Sequence, residues 1–513
     1  MRKARAAQTA VLVLLGGPAA FISCIHNPPD VGGKPSAPTA PNTYWTPPRK
    51  AIARDSVPHN VVPPDIQDHI NKLTLQDVVD LGLLNNPQTR ASYATARAAG
   101  ATIGSTFGKY LPQVTANGLA ERTGSSGGNG SVAGGTTVGG ASGGETAAQL
   151  QQERDRALIQ PSVTANWLLF DFGRFGALES AKQAAFAASY THNATVQTVV
   201  LAIVQSYCNY NAAKAIRDGA KETVREDSVG LASAKDRHGA GVATISDVLQ
   251  SQVTYSQSVL TLEQDEGNVQ TTRGSLAVAL GFPANLPYDI APEPPNVPVQ
   301  SIAQSIDSLV DEAVNHRPDL QSFKAQALEA KANIGAVRGN WLPQFTLGAT
   351  GSQTFYSQNQ SGNNGHTWTL QGGISVPIFS GFTSSYDILQ AKELANAAFA
   401  NAEYQRDLVV YQVFTSYYNL RTATAQVQSS RDLLESAQSN YDVALGKYKQ
   451  GVGAILDLLT AEAALASARA TEAQSRWTWY ADLAQLSHDA GVIGLHGEMP
   501  IQLTSDSTSR GSR

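Results

Sequence analysis

Gly241-Val242-Ala243-Thr244-Ile245-Ser246-Asp247-Val248-Leu249 returns 210 residues later as Gly451-Val452-Gly453-Ala454-Ile455-Leu456-Asp457-Leu458-Leu459. The same offset carries Ala181-Lys182 to Ala391-Lys392. It carries Ser206-Tyr207 and Asn209 to Ser416-Tyr417 and Asn419, and Leu276 and Gly281 to Leu486 and Gly491. A register held without insertion from Ala181 to Gly281 marks two copies of one unit. A fixed-period repeat decides the architecture before any local reading.

Outward from each glycine turn the pattern is helical on both sides. The rising helix of the first copy is expected from Lys182 to about Gly239 and the returning one up to Gly281. Nearly 60 residues of helix span roughly 85 Å at 1.5 Å per residue. No ordinary core is that long, so the helices are expected side by side as coiled coils, with Ala, Ser and Gly admitting close neighbours.

Further upstream the period changes. Leu75, Val78 and Val79 begin a helix that Thr74 and Asp77 cap, and Pro87 breaks it. After Tyr110-Leu111-Pro112-Gln113 the residues alternate, with Val114, Ala116, Gly118 and Ala120 on one strand face. Gly124 to Gly144 is loop. A second strand puts Ile159, Val163, Ala165, Trp167 and Leu169 on one face, and Gln160, Ser162, Thr164 and Asn166 on the other. The second copy repeats this plan after Trp341-Leu342-Pro343-Gln344. Phe345, Leu347 and Ala349 mark the third strand, and Trp368, Leu370, Ile374, Val376 and Ile378 the fourth. Here the offset is 231 (Pro87 to Pro318, Pro112 to Pro343), so the first copy carries 21 extra residues, which the glycine-rich loop accounts for.

Strands of about ten residues with one apolar and one polar face are the signature of membrane barrel strands. Four cannot close a barrel, since about eight are needed, and an open edge in lipid leaves backbone groups unpaired. Other subunits must complete the sheet. The alternative, a four-stranded sheet in a soluble α+β protein, leaves the long helices without a purpose.

Arg2, Lys3 and Arg5 precede a short apolar run that ends at Phe21-Ile22-Ser23-Cys24. This is a secretory leader, and a small residue before cysteine resembles a bacterial lipoprotein cleavage site in which Cys24 is lipidated. Ordinary secretion is the competing reading. Ile25 follows, not the aspartate associated with inner-membrane retention. Cys208, in a helical stretch, is expected to pack as a small apolar residue. The expected organisation is a signal peptide (1–23), a proline-rich tether (24–72), the first copy (73–290), the second copy (291–495) and a disordered polar tail (496–513).

Several chemistries are excluded. Net charge is −5, which implies no basic face for nucleic acid. The nine histidines form no metal-type pair, and no nucleophile elbow or phosphate loop is present. Gly239-Ala240-Gly241 joins two helices, where a phosphate loop would follow a strand. No enzyme activity, cofactor or metal is expected. The two tips, Arg237 to Leu249 and Lys447 to Leu459, carry the functional expectation. Gly241-Val242 and Gly451-Val452 supply tight turns, and Asp247 and Asp457 lie one turn beyond, where a carboxylate caps a helix start.

The duplication, Asn315-His316-Arg317-Pro318-Asp319, the Leu-Pro-Gln turns, Phe170-Asp171-Phe172-Gly173 and the Gly-Val…Asp hairpins resemble the TolC-type outer-membrane efflux channels over about Leu73 to Gly491. The resemblance implies a membrane α+β fold: a homotrimer whose four strands per protomer complete a twelve-strand barrel, continued by a long α-helical periplasmic barrel. It places the Gly-rich loop and Ser357–His366 outside the cell. It implies docking of a periplasmic adaptor protein at tips that include Gly241, Val242, Ala243, Gly451 and Val452. It matches Asp457 to a carboxylate repeated by symmetry as an acidic ring, and Tyr448 and Asp247 to a hydrogen-bonded latch. Thr460 stands where the family often has a second acidic residue, and Gly453 replaces the latch arginine, leaving Lys447 or Arg237 to serve. The function implied is a passive exit duct of a tripartite efflux or secretion system, lipid-anchored in the bacterial outer membrane and opened by adaptor and inner-membrane transporter. The competing class is a non-conducting, lipid-anchored coiled-coil tether across the periplasm.

Overall fold

The computed structural model describes residues 41–43, 72–124, 155–291, 304–356, 365–497 and 499–501. Cys24, the leader, most of the tether and of the glycine-rich loop, and residues 502–513 lie outside the described residues. The first copy runs α1 (Leu75–Asn85), α2 (Pro87–Gly108), β1 (Gln113–Gly124), β2 (Asp155–Phe170), α3 (Gly173–Gly239) and α4 (Ile245–Ala279). The second runs α5 (Ile306–His316), α6 (Pro318–Gly339), β3 (Gln344–Tyr356), β4 (Gly365–Ser375), α7 (Thr383–Lys449) and α8 (Ile455–Asp489). Corresponding helices match to the residue. α1 and α5 have 11 residues, α2 and α6 have 22, α3 and α7 have 67, and α4 and α8 have 35.

Local chemistry accounts for most boundaries. Thr74 and Asp77 form a reciprocal capping box at the start of α1. Proline at position 87 removes a donor and restarts the helix. α3 begins nine residues before the expected Lys182, directly after β2. The Asp171 carboxylate accepts the Gly173 amide at 2.8 Å and caps the new helix there. Glycine is required at that start: a Cβ on Gly176 would lie 2.2 Å from the Ala336 nitrogen, and one on Gly339 would lie 1.9 Å from the Gly173 nitrogen. Two backbones meet where side chains have no room.

Two compact units each draw on both copies. One contains Ala101–Lys182 and Leu328–Ala395, and the other contains Gln183–Ala327 and Asn396–Arg513. The first holds a four-stranded antiparallel sheet in the order β1-β2-β3-β4. Its register aligns the apolar residues across every strand. Val114, Ala165, Ala349 and Leu370 form one row, and Ala116, Val163, Gly351 and Trp368 the next. On the opposite face Thr115, Thr164, Thr350 and Thr369 form a row, followed by Asn117, Ser162, Ser352 and Thr367. The apolar face is open: Trp368 is 77% exposed and Ile374 68%. Val376 and Ile378, expected in the fourth strand, fall beyond its end at Ser375. β3 begins at Gln344, the partner of Ser375, and Pro377 has no amide to donate, so the ladder stops there.

The second unit packs two apolar clusters along the helices. One joins α1, the middle of α3, the end of α4 and Tyr288–Ile290, and Cys208 is buried within it. The other joins α5, the middle of α7 and the end of α8. The expected disordered tail is a correction up to Ile501. Ile493 enters the first cluster, Ile501 is buried in the second, and His496 pairs with Asp80 at 2.7 Å. These side chains find apolar cover, so the chain is held.

Each copy also ties its short helices to the end of its returning helix. Asn86 donates Nδ2 to the Ala279 carbonyl at 2.9 Å, closing α4 against α1. At the corresponding place in copy two, Arg317 forks onto Asp319 (3.0 and 2.7 Å) and reaches the Asp489 carbonyl at 3.4 Å. Burial alone would raise the Asp319 pKa, but the Arg317 hydrogen bonds and charge outweigh it and hold the carboxyl below its usual range.

Candidate functional site

The tips close with the same backbone hydrogen bonds. In tip one the Val242 amide returns to the Arg237 carbonyl (2.9 Å) and the Gly241 amide to that of His238 (2.9 Å). In tip two Val452 returns to Lys447 (3.1 Å) and Gly451 to Tyr448 (3.0 Å). Each is a Schellman closure, which needs a left-handed residue after the helix. Gly241 and Gly451 supply it at φ 76° and 77°. The turns leave Val242 and Val452 exposed at the apex, at 67% and 77%. Gly453 fills a different need. Its φ is not left-handed, but a Cβ there would lie 2.9 Å from the Lys447 Cβ, and its amide also closes onto the Lys447 carbonyl at 3.1 Å. Where the resemblance expects an arginine, the backbone at Gly453 therefore lies close against Lys447 and Tyr448.

The next step separates the tips chemically. Thr244 caps α4, and its amide donates to the Asp247 carboxylate at 2.9 Å while the Asp247 amide donates to the Thr244 hydroxyl at 3.2 Å. Ala454 takes the cap position of α8 and offers no side-chain bond. Asp457 therefore lacks the partner that Asp247 has. It is exposed and, among the described residues, makes no hydrogen bond or ion pair. An unengaged carboxylate one turn from the apex is open to solution.

The hydrogen bond expected between Tyr448 and Asp247 is absent. The Tyr448 hydroxyl is buried and, among the described residues, has no hydrogen-bond partner. Asp247 is committed to its capping box. The contact between the tips is made by Arg237, whose guanidinium lies 4.5 Å from the Tyr448 ring centroid and whose Nη1 donates to the Tyr448 carbonyl at 2.6 Å. A cation at the carbonyl end of α7 meets the negative pole of that helix. Burial raises the pKa of the Tyr448 hydroxyl, with the Arg237 charge opposing and the Asp247 charge reinforcing the shift. Lys447, the counterpart of Arg237 in the repeat, takes part through its carbonyl.

Below tip two the seam of α7 and α8 buries Tyr441, Tyr448, Ile455, Leu458 and Leu465. Below tip one the seam of α3 and α4 buries a smaller cluster, Leu231, Ala234 and Val248, with Tyr255 beside them. Tip two is the better-packed element, and tip one leans on it through Arg237. Among the described residues no group of His, Cys, Asp and Glu is arranged to hold a metal, and no helix is long and apolar enough to cross a membrane. The latter says nothing of a β-barrel.

A family profile described as outer membrane efflux protein matches residues 78–282 and 309–492, which cover both copies. Protein CyaE of Bordetella pertussis is 26% identical over 412 residues, 79% of this chain and 81% of that protein. The probable efflux pump outer membrane protein TtgC of Pseudomonas putida is 26% identical over 303 residues, 58% of this chain and 61% of that protein. The solved outer membrane protein VceC of Vibrio cholerae superposes with a TM-score of 0.66 at 16% identity, over 81% of this chain and 96% of that one. The repeated helices and the four-stranded sheet share the fold of that solved protein. With the profile spanning both copies, this chain belongs to the outer membrane efflux protein family, and its place is the outer membrane.

Proposed function

We propose that the chain is one protomer of a passive exit duct in a tripartite efflux or secretion system. The observation that carries this reading is the sheet. Two apolar rows run across all four strands on one face and two polar rows on the other, β4 is exposed along its whole length, and β1 and β4 each have a single neighbour. Such a face suits lipid, and such edges require partners. β1 and β4 run antiparallel, so β4 of one protomer can pair with β1 of the next head to tail, and a ring closes. Three protomers give the twelve strands that the family resemblance implies, with the Thr and Asn rows lining the interior.

The helices support the same closure. The start of α3 is covered by α6 within the chain, glycine against glycine. The equivalent start of α7 is bare: Phe379 is 78% exposed, Phe382 66% and Tyr386 70%. α2, the counterpart of α6, ends with Phe107 exposed and Gly108 in open space. α2 of a neighbouring protomer is the natural cover for α7. A coiled-coil tether would have no use for these surfaces.

In this reading the tips form the periplasmic mouth. Asp457 from each protomer makes the acidic ring, Arg237 and Tyr448 hold the tips together, and an adaptor docked by an inner-membrane transporter engages Val242, Ala243 and Val452. Cys24 carries the lipid. The mass of the detergent-extracted protein tests the assembly: three chains are expected, and a monodisperse single chain would contradict it.

A further inference from the structure

Beyond the tips the two hairpins meet again. Asp227 on α3 and Glu462 on α8 come together across the junction, and each is only 4% exposed. Among the described residues, both Asp227 oxygens and Glu462 Oε2 are without a donor. Ser251 Oγ, from α4 and 2% exposed, lines the same narrow space and is also unpartnered among the described residues. That space is too small to admit a water molecule.

The surrounding charges do not neutralise the pair. Glu226, beside Asp227 on α3, is taken by Arg469 of α8 in a two-pronged bond at 2.9 and 3.1 Å. Arg225 turns to Glu222. From α4, Ser258 gives its proton to the Tyr255 carbonyl at 2.9 Å and lies near enough to Asp227 to oppose, without cancelling, the rise in that carboxyl's pKa, and Thr254 is uncharged. From α7, Tyr441 stays protonated, pushed up to about 12 by burial and then by Glu226 and Glu462.

Two ionised carboxylates are acceptors only, so neither can satisfy the other. One proton between them creates the missing donor and removes one charge from a space too small for water. We propose that Asp227 and Glu462 share a single proton across the contact between the two hairpins, and that losing it drives the hairpins apart beyond the tips. Burial, reinforced by Asp227, pushes Glu462 up to about 8, and burial raises Asp227 as well. The packed state therefore holds a proton that the separated state releases. The contact is tightest below the ordinary glutamate value of 4.5 and weakens as pH rises through about 8. Its effect on a mouth at the tips rests on the function proposed above, whereas the shared proton does not.

Two measurements on the full-length protein in detergent test the pair without requiring conduction. Infrared difference spectroscopy is expected to show a protonated carboxyl stretch at pH 7 that Glu462→Gln removes. Hydrogen exchange of residues 245–258 and 455–465, corrected for the intrinsic pH dependence, is expected to accelerate about threefold or more from pH 6 to pH 9 in the wild type. In Glu462→Gln it is expected to stay level, and Asp227→Asn supplies the same comparison if the first variant does not fold. A wild type without the carboxyl stretch, or variants with undiminished pH dependence, would overturn the proposal. So would protection at pH 9 that Ca²⁺ restores in the wild type and a chelator removes, since a cation would then be the occupant.

Discussion

Arg237 caps the last turn of α7 at Tyr448, its guanidinium stacked 4.5 Å from the ring and hydrogen-bonded to the backbone carbonyl at 2.6 Å. A charged hydrogen bond of this kind contributes about 1.5–3 kcal/mol, and partly exposed stacking about 0.5–1. Arg237→Ala is expected to free tip one from tip two, with faster hydrogen exchange over 447–459 and unchanged exchange in the sheet. Arg237→Lys keeps the charge and loses the planar stack, so it should fall between the two. Equal exchange in all three proteins would remove Arg237 from the contact.

The tips differ at one cap, which can be exchanged. Thr244→Ala removes the box that holds Asp247 and is expected to cost about 1 kcal/mol, seen as fraying of α4. Ala454→Thr installs the missing cap at α8, stabilises its first turn by a similar amount, and draws Asp457 into the bond that Asp247 makes now. Exchange at 455–459 should slow, and cation block at the mouth should weaken with no carboxylate deleted.

Arg317 and Asp319 provide the pH test of the helical core. Folding lowers the Asp319 pKa, so its contribution is present above the ordinary aspartate value near 3.8 and is lost as pH falls through the lowered one. Arg317→Met leaves a largely buried carboxylate without its partner and is expected to cost about 3–5 kcal/mol at pH 7. The difference in thermal midpoint between variant and wild type should shrink once the pH drops below that range. A difference independent of pH would assign the loss to packing alone.

Much of this architecture is legible in the chain because it is written in local chemistry. Gly241 and Gly451 mark turns that need positive φ, Pro87 and Pro318 restart helices, and the unchanged offset of 210 forecasts paired helices of equal length in both copies, which the structure gives as 67 and 35 residues. Alternation at Val163, Ala165 and Trp167 foretells the open face, though not how its rows align across four strands. The misjudged places depend on neighbours distant in sequence. α3 starts at Gly173 because α6 passes close by, and Ile501 is ordered because α5, α7 and α8 leave it a site. The Arg237–Tyr448 contact and the Asp227–Glu462 pair join residues more than 200 positions apart, so no spacing announces them. A hint existed for the first: the repeat sets Arg237 against Lys447 and His238 against Tyr448, and only one member of each pair makes the stacked contact.

The central claim is that this chain assembles a conducting duct whose narrowest charge is Asp457. Single-channel recording of the full-length protein in planar lipid bilayers, with Asp457→Ala beside the wild type, tests it most directly. The account predicts cation-selective conductance in the wild type, blocked by divalent cations, with selectivity and block both reduced in the variant. A wild type that inserts without conducting, or a variant with unaltered selectivity and block, would contradict it.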